Sequence, residues 1–136
     1  MRLTSLADYA VVMMAAAARH PAGARLSATV LAGETGVPLP TAQKLTGRLA
    51  AAGLLATARG TGGGFRLARE AGEISLADIV EAVEGPIEMT SCLDMERHAC
   101  ALESCCQVRP HMSVVNGAVR GALAALSLSS LAEVKA

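Results

Sequence analysis

Apolar residues recur at helical spacing through most of the chain, and turn residues cut that pattern into helical stretches and one hairpin. The first stretch, residues 3–18, starts behind a Thr4 or Ser5 cap with Asp8 in its first turn, and His20-Pro21 stops it. Ser27 caps a short second helix through about residue 32, and Gly33-Glu-Thr-Gly36 reads as the turn after it. Val37-Pro-Leu-Pro40 restarts the chain. Residues 41–52 then form a third helix with Ala42, Leu45 and Leu49 on one face, Gln43, Lys44 and Arg48 elsewhere, and Gly53 at its end. Leu54-Leu55 and Phe65-Arg66-Leu67 supply two short strands around a glycine run. Ser75 caps a fourth helix over residues 76–84, whose apolar stripe is Leu76, Ile79, Val80 and Val83; Gly85-Pro86 stops it. After an irregular segment, Pro110 suits the first turn of a long helix reaching about Leu126.

Helix, helix, turn, helix and a two-stranded wing together describe a winged helix-turn-helix: a mainly α fold with a small β wing, plus a long C-terminal helix. The expected organisation is a DNA-binding domain over residues 1–86, a cysteine-bearing loop over 87–108, and a dimerisation helix and tail over 109–136. Val114, Val115, Ala118, Val119, Ala122 and Leu123 make a broad apolar face on that last helix, and Gly117 and Gly121 would let a neighbour approach closely. Packing on its own domain is one way to cover such a face. A second copy of the same helix is the expected cover, giving a twofold homodimer that reads two half-sites.

At 136 residues the chain suits one domain with an appended segment. No apolar run approaches the roughly 20 residues of a membrane span. The apolar residues from Tyr9 onward follow Asp8 and precede no cleavage pattern, so a cytoplasmic protein with reduced thiols and no membrane partner is expected. With Tyr9 and Phe65 as the only aromatic residues, the stacking platforms of single-strand binders are missing. Net charge is zero, but residues 1–70 hold eight basic against three acidic side chains, net +5, and residues 71–136 hold four against nine, net −5. The basic half is suited to a polyanion, and the acidic half should face away from it.

The motifs choose duplex DNA as that polyanion. In a winged helix-turn-helix the N-terminal half of the third helix enters the major groove, presenting Thr41, Gln43 and Lys44 to base edges or phosphates, with Arg48 further along. In Arg59-Gly-Thr-Gly-Gly-Gly-Phe-Arg66 the glycines, Gly62 and Gly63 among them, free the backbone for close approach, while Arg59 and Arg66 place charge at the base of the wing. Arg2 completes the expected DNA-facing set. A plain turn is the bland alternative for this run, and a nucleotide-binding loop is a weaker one, since no Lys-Ser/Thr ends the glycine run and no helix starts on it. An enzyme is not expected either: no nucleophile–base pairing is visible and the histidines are dispersed.

All four cysteines fall within residues 92–106. Cys92-x7-Cys100-x5-Cys106 is the set expected to bind metal, with Cys105 pointing away, since adjacent cysteines rarely serve one metal. Three thiolates leave one position short of the four that an iron–sulfur cluster or zinc takes. Asp8, His98, His111, a group from a second subunit or a small molecule could supply it. Spacing alone leaves an iron–sulfur cluster, structural zinc and a thiol redox switch open.

Met1-Arg-Leu-Thr-Ser5 with Asp8-Tyr-Ala10, Leu39-Pro-Thr-Ala-Gln-Lys44, Ala52-Gly-Leu-Leu55, the wing motif through Ala68, Ile74-Ser-Leu-Ala-Asp-Ile79 and Glu84-Gly-Pro-Ile87 resemble the IscR/NsrR/RirA type of iron–sulfur winged-helix regulators. The resemblance covers nearly the whole chain. Cys106-Gln-Val-Arg-Pro110 and Leu126-Ser-Leu128 look most like the subgroup that regulates the SUF cluster-assembly operon. It implies a homodimeric transcription regulator holding a 4Fe-4S or 2Fe-2S cluster through Cys92, Cys100 and Cys106, with Asp8 of the partner subunit at the position that completes coordination in some members. Val108 and Arg109 stand where other members carry a histidine, and Cys105 is an extra thiol.

Overall fold

Thr4 opens the first helix by accepting the Ala7 N–H at 3.1 Å, and α1 runs Ser5–Arg19. The computed structural model describes residues 2–58, 64–89 and 107–133. Ala7, Ala10, Met13, Met14, Ala16 and Ala17 of α1 are buried, and so many alanines let several neighbouring helices approach one central rod.

α2 spans Ala28–Thr35, with Ser27 Oγ accepting the Val30 N–H at 3.1 Å. It runs longer than its glycines suggested, because Gly33 lies inside the helix. Gly36, at φ +82°, alone makes the left-handed turn that ends it. α3 spans Leu39–Ala51, starting earlier than its apolar spacing implied. Pro40 falls in the first turn, where the N–H it lacks has no helical partner to lose. Ala42, Leu45 and Leu49 are fully buried beneath it.

The wing is an antiparallel pair, β1 at Leu55–Ala58 and β2 at Gly64–Leu67, in the register Leu55↔Leu67 and Ala58↔Gly64. Phe65 faces the core and also exchanges two backbone hydrogen bonds with Leu26, of 2.7 and 2.8 Å, which ties the wing to the α1–α2 connection. That approach requires glycine next door: Gly64 sits at φ +151°, and a Cβ there would stand 2.4 Å from the Leu26 carbonyl oxygen.

A single 3-10 turn, Ala71–Glu73, leads to α4 at Leu76–Glu84. Its N-terminus carries a reciprocal cap, in which Ser75 Oγ accepts the Asp78 N–H at 3.1 Å and the Asp78 carboxylate accepts the Ser75 N–H at 2.9 Å. Leu76, Ile79, Val80 and Val83 are buried as their spacing implies. α5, Arg109–Ala124, lies against α4 and contains no buried residue. Among the described residues no helix is long and apolar enough to cross a membrane.

A sixth helix, α6 at Leu128–Ala132, stands where the sequence pattern showed only a tail. Backbone bonds from Leu76 N–H to Leu126 O (2.9 Å) and from Leu128 N–H to Ile74 O (2.7 Å) turn the chain back. Leu128 is fully buried, and α6 packs on α1 and the 3-10 turn. The segment after the long helix therefore shares the core of the N-terminal domain. At five residues, α6 is too short to declare itself through periodicity.

Candidate functional site

Burying Ala42, Leu45 and Leu49 against the core turns Gln43, Lys44, Gly47 and Arg48 outward on α3. Gln43 and Lys44 are exposed and make no side-chain hydrogen bond or ion pair among the described residues, so both are available to a ligand; Thr41 is half-buried. On the wing, strand alternation sends Phe65 inward and Arg66 outward. Arg66 lines a notch with Gly23, Arg25, Ala58 and Phe65. Arg25 is one of the eight basic side chains of residues 1–70. The Leu26–Phe65 pairing brings it to the base of the wing, and no local spacing announces such a long-range bond.

Arg2 lines a different region, a cleft of about 470 Å³ with Val80, Glu84, Met89, Val119 and Leu123 between α4 and α5. Arg48 turns toward α4 and donates from Nη1 to the Val83 carbonyl at 3.0 Å. Arg59, Gly62 and Gly63 lie outside the described residues, as do Cys92, Cys100, Cys105, Cys106 and His98. Asp8 is exposed in the first turn of α1 and has no side-chain partner among the described residues. His20 bonds the Glu34 carboxylate at 2.8 Å, linking α1 to α2, and His111 is exposed on α5. Among the described residues no three His, Cys, Asp or Glu side chains gather as a metal site.

The described residues flanking the cysteine segment are both held at α5. On one side, the Met89 N–H donates to Asn116 Oδ1 at 2.9 Å, and the Ile87 N–H to Glu81 Oε2 at 3.3 Å. Glu81 also pairs with Arg120 of α5 at 2.7 Å. On the other side, Val108 stands at the N-cap of α5. Asn116 lies about 10 Å along the helix from Arg109 at 1.5 Å per residue. The segment carrying four thiols thus lies in sequence between Met89, fastened to Asn116 of α5, and Gln107, just before the start of α5.

Of α5's apolar face, Val119 and Leu123 are half-buried beside Val80, while Val114 is 72% exposed and Val115, Ala118 and Ala122 are exposed.

The family model Rrf2, described as an iron-dependent transcriptional regulator, matches residues 3–134. The HTH-type transcriptional regulator IscR of Photobacterium profundum is 36% identical over 92 residues, 68% of this chain and 54% of that protein. The chain thus spans little more than half the length of that relative. The HTH-type transcriptional regulator NsrR of Shouchella clausii is 30% identical over 109 residues, 80% of this chain and 73% of its own. Among solved structures, the oxidized form of Staphylococcus aureus CymR superposes with a TM-score of 0.72 at 26% identity, covering 100% of this chain and 99% of that one.

Proposed function

The chain belongs to the Rrf2 family of transcriptional regulators, and on that premise we propose that it is a cytoplasmic, homodimeric DNA-binding regulator sensing iron–sulfur cluster status and controlling SUF-type cluster-assembly genes. The regulators it resembles are not enzymes. The observation that carries the sensing part of the reading is the attachment of both flanks of the cysteine segment to α5, with the last turn of α4 on one side.

Gln43 and Lys44, exposed on α3, read base edges or phosphates in the major groove with Thr41 beside them. Arg59, Gly62, Gly63 and Arg66 carry the wing's contact, and Arg2 adds positive charge. A second copy covers Val114, Val115, Ala118 and Ala122, so that two α3 helices face two half-sites. Cys92, Cys100 and Cys106 would hold the cluster, with Asp8 of the partner subunit as fourth ligand. The donor set fits, since thiolates are the usual ligands of such clusters and a carboxylate is the harder, displaceable fourth. A bound cluster would supply a charge and redox state that respond to iron and oxidants. The residues described here carry that state outward: Met89 and Ile87 hold the segment to Asn116 and Glu81, and Glu81 holds Arg120. A difference of about 1.4 kcal/mol between two such arrangements is tenfold in operator affinity.

The test is the visible spectrum of protein purified without oxygen, with iron, sulfide and zinc assayed on the same sample. Broad absorption near roughly 400 nm, with matching iron and sulfide and loss in Cys92→Ala and Cys106→Ala, is expected of a thiolate-bound cluster. Colourless protein with stoichiometric zinc would sink the cluster reading. A second reading, a thiol redox switch, is favoured by one observation: the full-length match to the oxidized form of S. aureus CymR, which spans 99% of that chain. Reversible loss of free thiols in metal-free protein would select it.

A further inference from the structure

The last turn of α4 is where separate parts of the fold are tied together. The Glu81 carbonyl accepts the Gly85 N–H at 2.9 Å, but the carbonyls after it, Val83's among them, have no donor further along the helix, and the helix dipole leaves partial negative charge there. Arg48 of α3 donates to the Val83 carbonyl at 3.0 Å. Thr4, the cap of α1, donates to the Glu84 carboxylate. Arg120 of α5 holds Glu81 at 2.7 Å, and Glu81 accepts the Ile87 N–H two residues before Met89. Met89 is the last described residue before the cysteine segment and is itself fastened to Asn116.

We propose that Arg48 is a positioning residue: it locks the DNA-reading helix α3 to the last turn of α4, and so to the strap that leads into the cysteines, rather than contacting DNA itself. Lys44 lies one helical turn before Arg48, so a rigid helix pinned at Arg48 has its reading face pinned too. A cation bonded to a helix-end carbonyl makes a stronger tie than a neutral donor. A shift of the Glu81–Met89 strap moves the Val83 carbonyl, and through Arg48 it moves α3. The inference rests on the reading of α3 as the DNA-contacting helix.

The experiment uses the full chain and its Arg48→Met variant, which keeps the aliphatic stem and removes the donors. Amide exchange is followed in DNA-free protein. Affinity is measured over a salt series for a duplex selected from a random pool by the wild type and for an unselected duplex. Exchange at Gly85, Ile87 and Met89 is expected to quicken about tenfold in the variant, and affinity for the selected duplex to fall by about tenfold more than for the unselected one. The salt slope should not change, whereas losing a phosphate contact lowers it by about 0.9. Unchanged exchange at those amides, a lowered slope, or faster exchange spread evenly over the fold would each overturn the assignment. If Arg48→Met does not fold, Arg48→Gln takes the same readouts. Failure of the wild type to bind any duplex would defeat the DNA-reading proposal, while the exchange data would still decide whether Arg48 pins α4.

Discussion

Gly47 and Gly64 invite the same substitution and should answer it with opposite signs. Gly47 lies inside α3 on its outward face, at ordinary helical φ, and a Cβ built there meets nothing within 4 Å. Its backbone gains nothing from being glycine, so Gly47→Ala should recover the helix-propensity difference, about 0.8–1 kcal/mol of stability. Gly64 sits at φ +151°, and its Cβ would lie 2.4 Å from the Leu26 carbonyl oxygen, a backbone atom that cannot swing aside. Strain there costs about 1–3 kcal/mol. Separating β2 from Leu26 also loosens two backbone hydrogen bonds of 2.7 and 2.8 Å, each worth about 1 kcal/mol. Gly64→Ala is therefore expected to lose roughly 2–4 kcal/mol. Urea unfolding followed by circular dichroism at fixed protein concentration reads both, with midpoints moving in opposite directions and slopes unchanged. Gly47 lies one turn after Gln43 on the same face, so the more stable variant is also expected to bind duplex DNA less tightly. A destabilised Gly47→Ala, or a Gly64→Ala as stable as the wild type, would refute the backbone reasoning.

Other changes test other joints. Leu128→Ala, which empties a fully buried site in α6, should cost about 2–5 kcal/mol in urea unfolding; a surface-like loss of about 0.5 kcal/mol or less would mean that α6 does not share the core. Ser75→Ala removes one half of the reciprocal cap on α4 and should cost about 1 kcal/mol, measured the same way, with no effect expected if the cap is spectator geometry. Val114→Glu places a charge on the most exposed valine of α5, on the face proposed to pair two copies, and should shift sedimentation from dimer to monomer without lowering helix content; an unchanged dimer would place the interface elsewhere, and a monomeric wild type would refute the proposed pairing.

Much of this molecule could be read from the chain alone because its elements announce themselves locally. Ser27, Ser75 and Thr4 each precede an apolar stripe and each does cap a helix. The strands on either side of the glycine run pair as an antiparallel hairpin, and alternation around Phe65 and Arg66 tells inside from outside. These signals depend on bond geometry and on neighbours within a turn or two, which a sequence displays directly. Thiol spacing proposes a donor set, which lies outside the described residues; the described structure adds the segment's two flanks. The tertiary structure decided what depends on partners distant along the chain. α6 exists as part of the core only because Ile74 and Leu76 offer backbone groups to Leu128 and Leu126. Arg25 reaches the wing only through Leu26 and Phe65. Arg48, one more basic residue on the DNA-reading helix by sequence, turns to the end of α4 because a carbonyl without a helical partner lies within its reach. Helix propensity and capping are properties of a few consecutive residues, whereas the partner of a long side chain is fixed by which other element packing brings beside it.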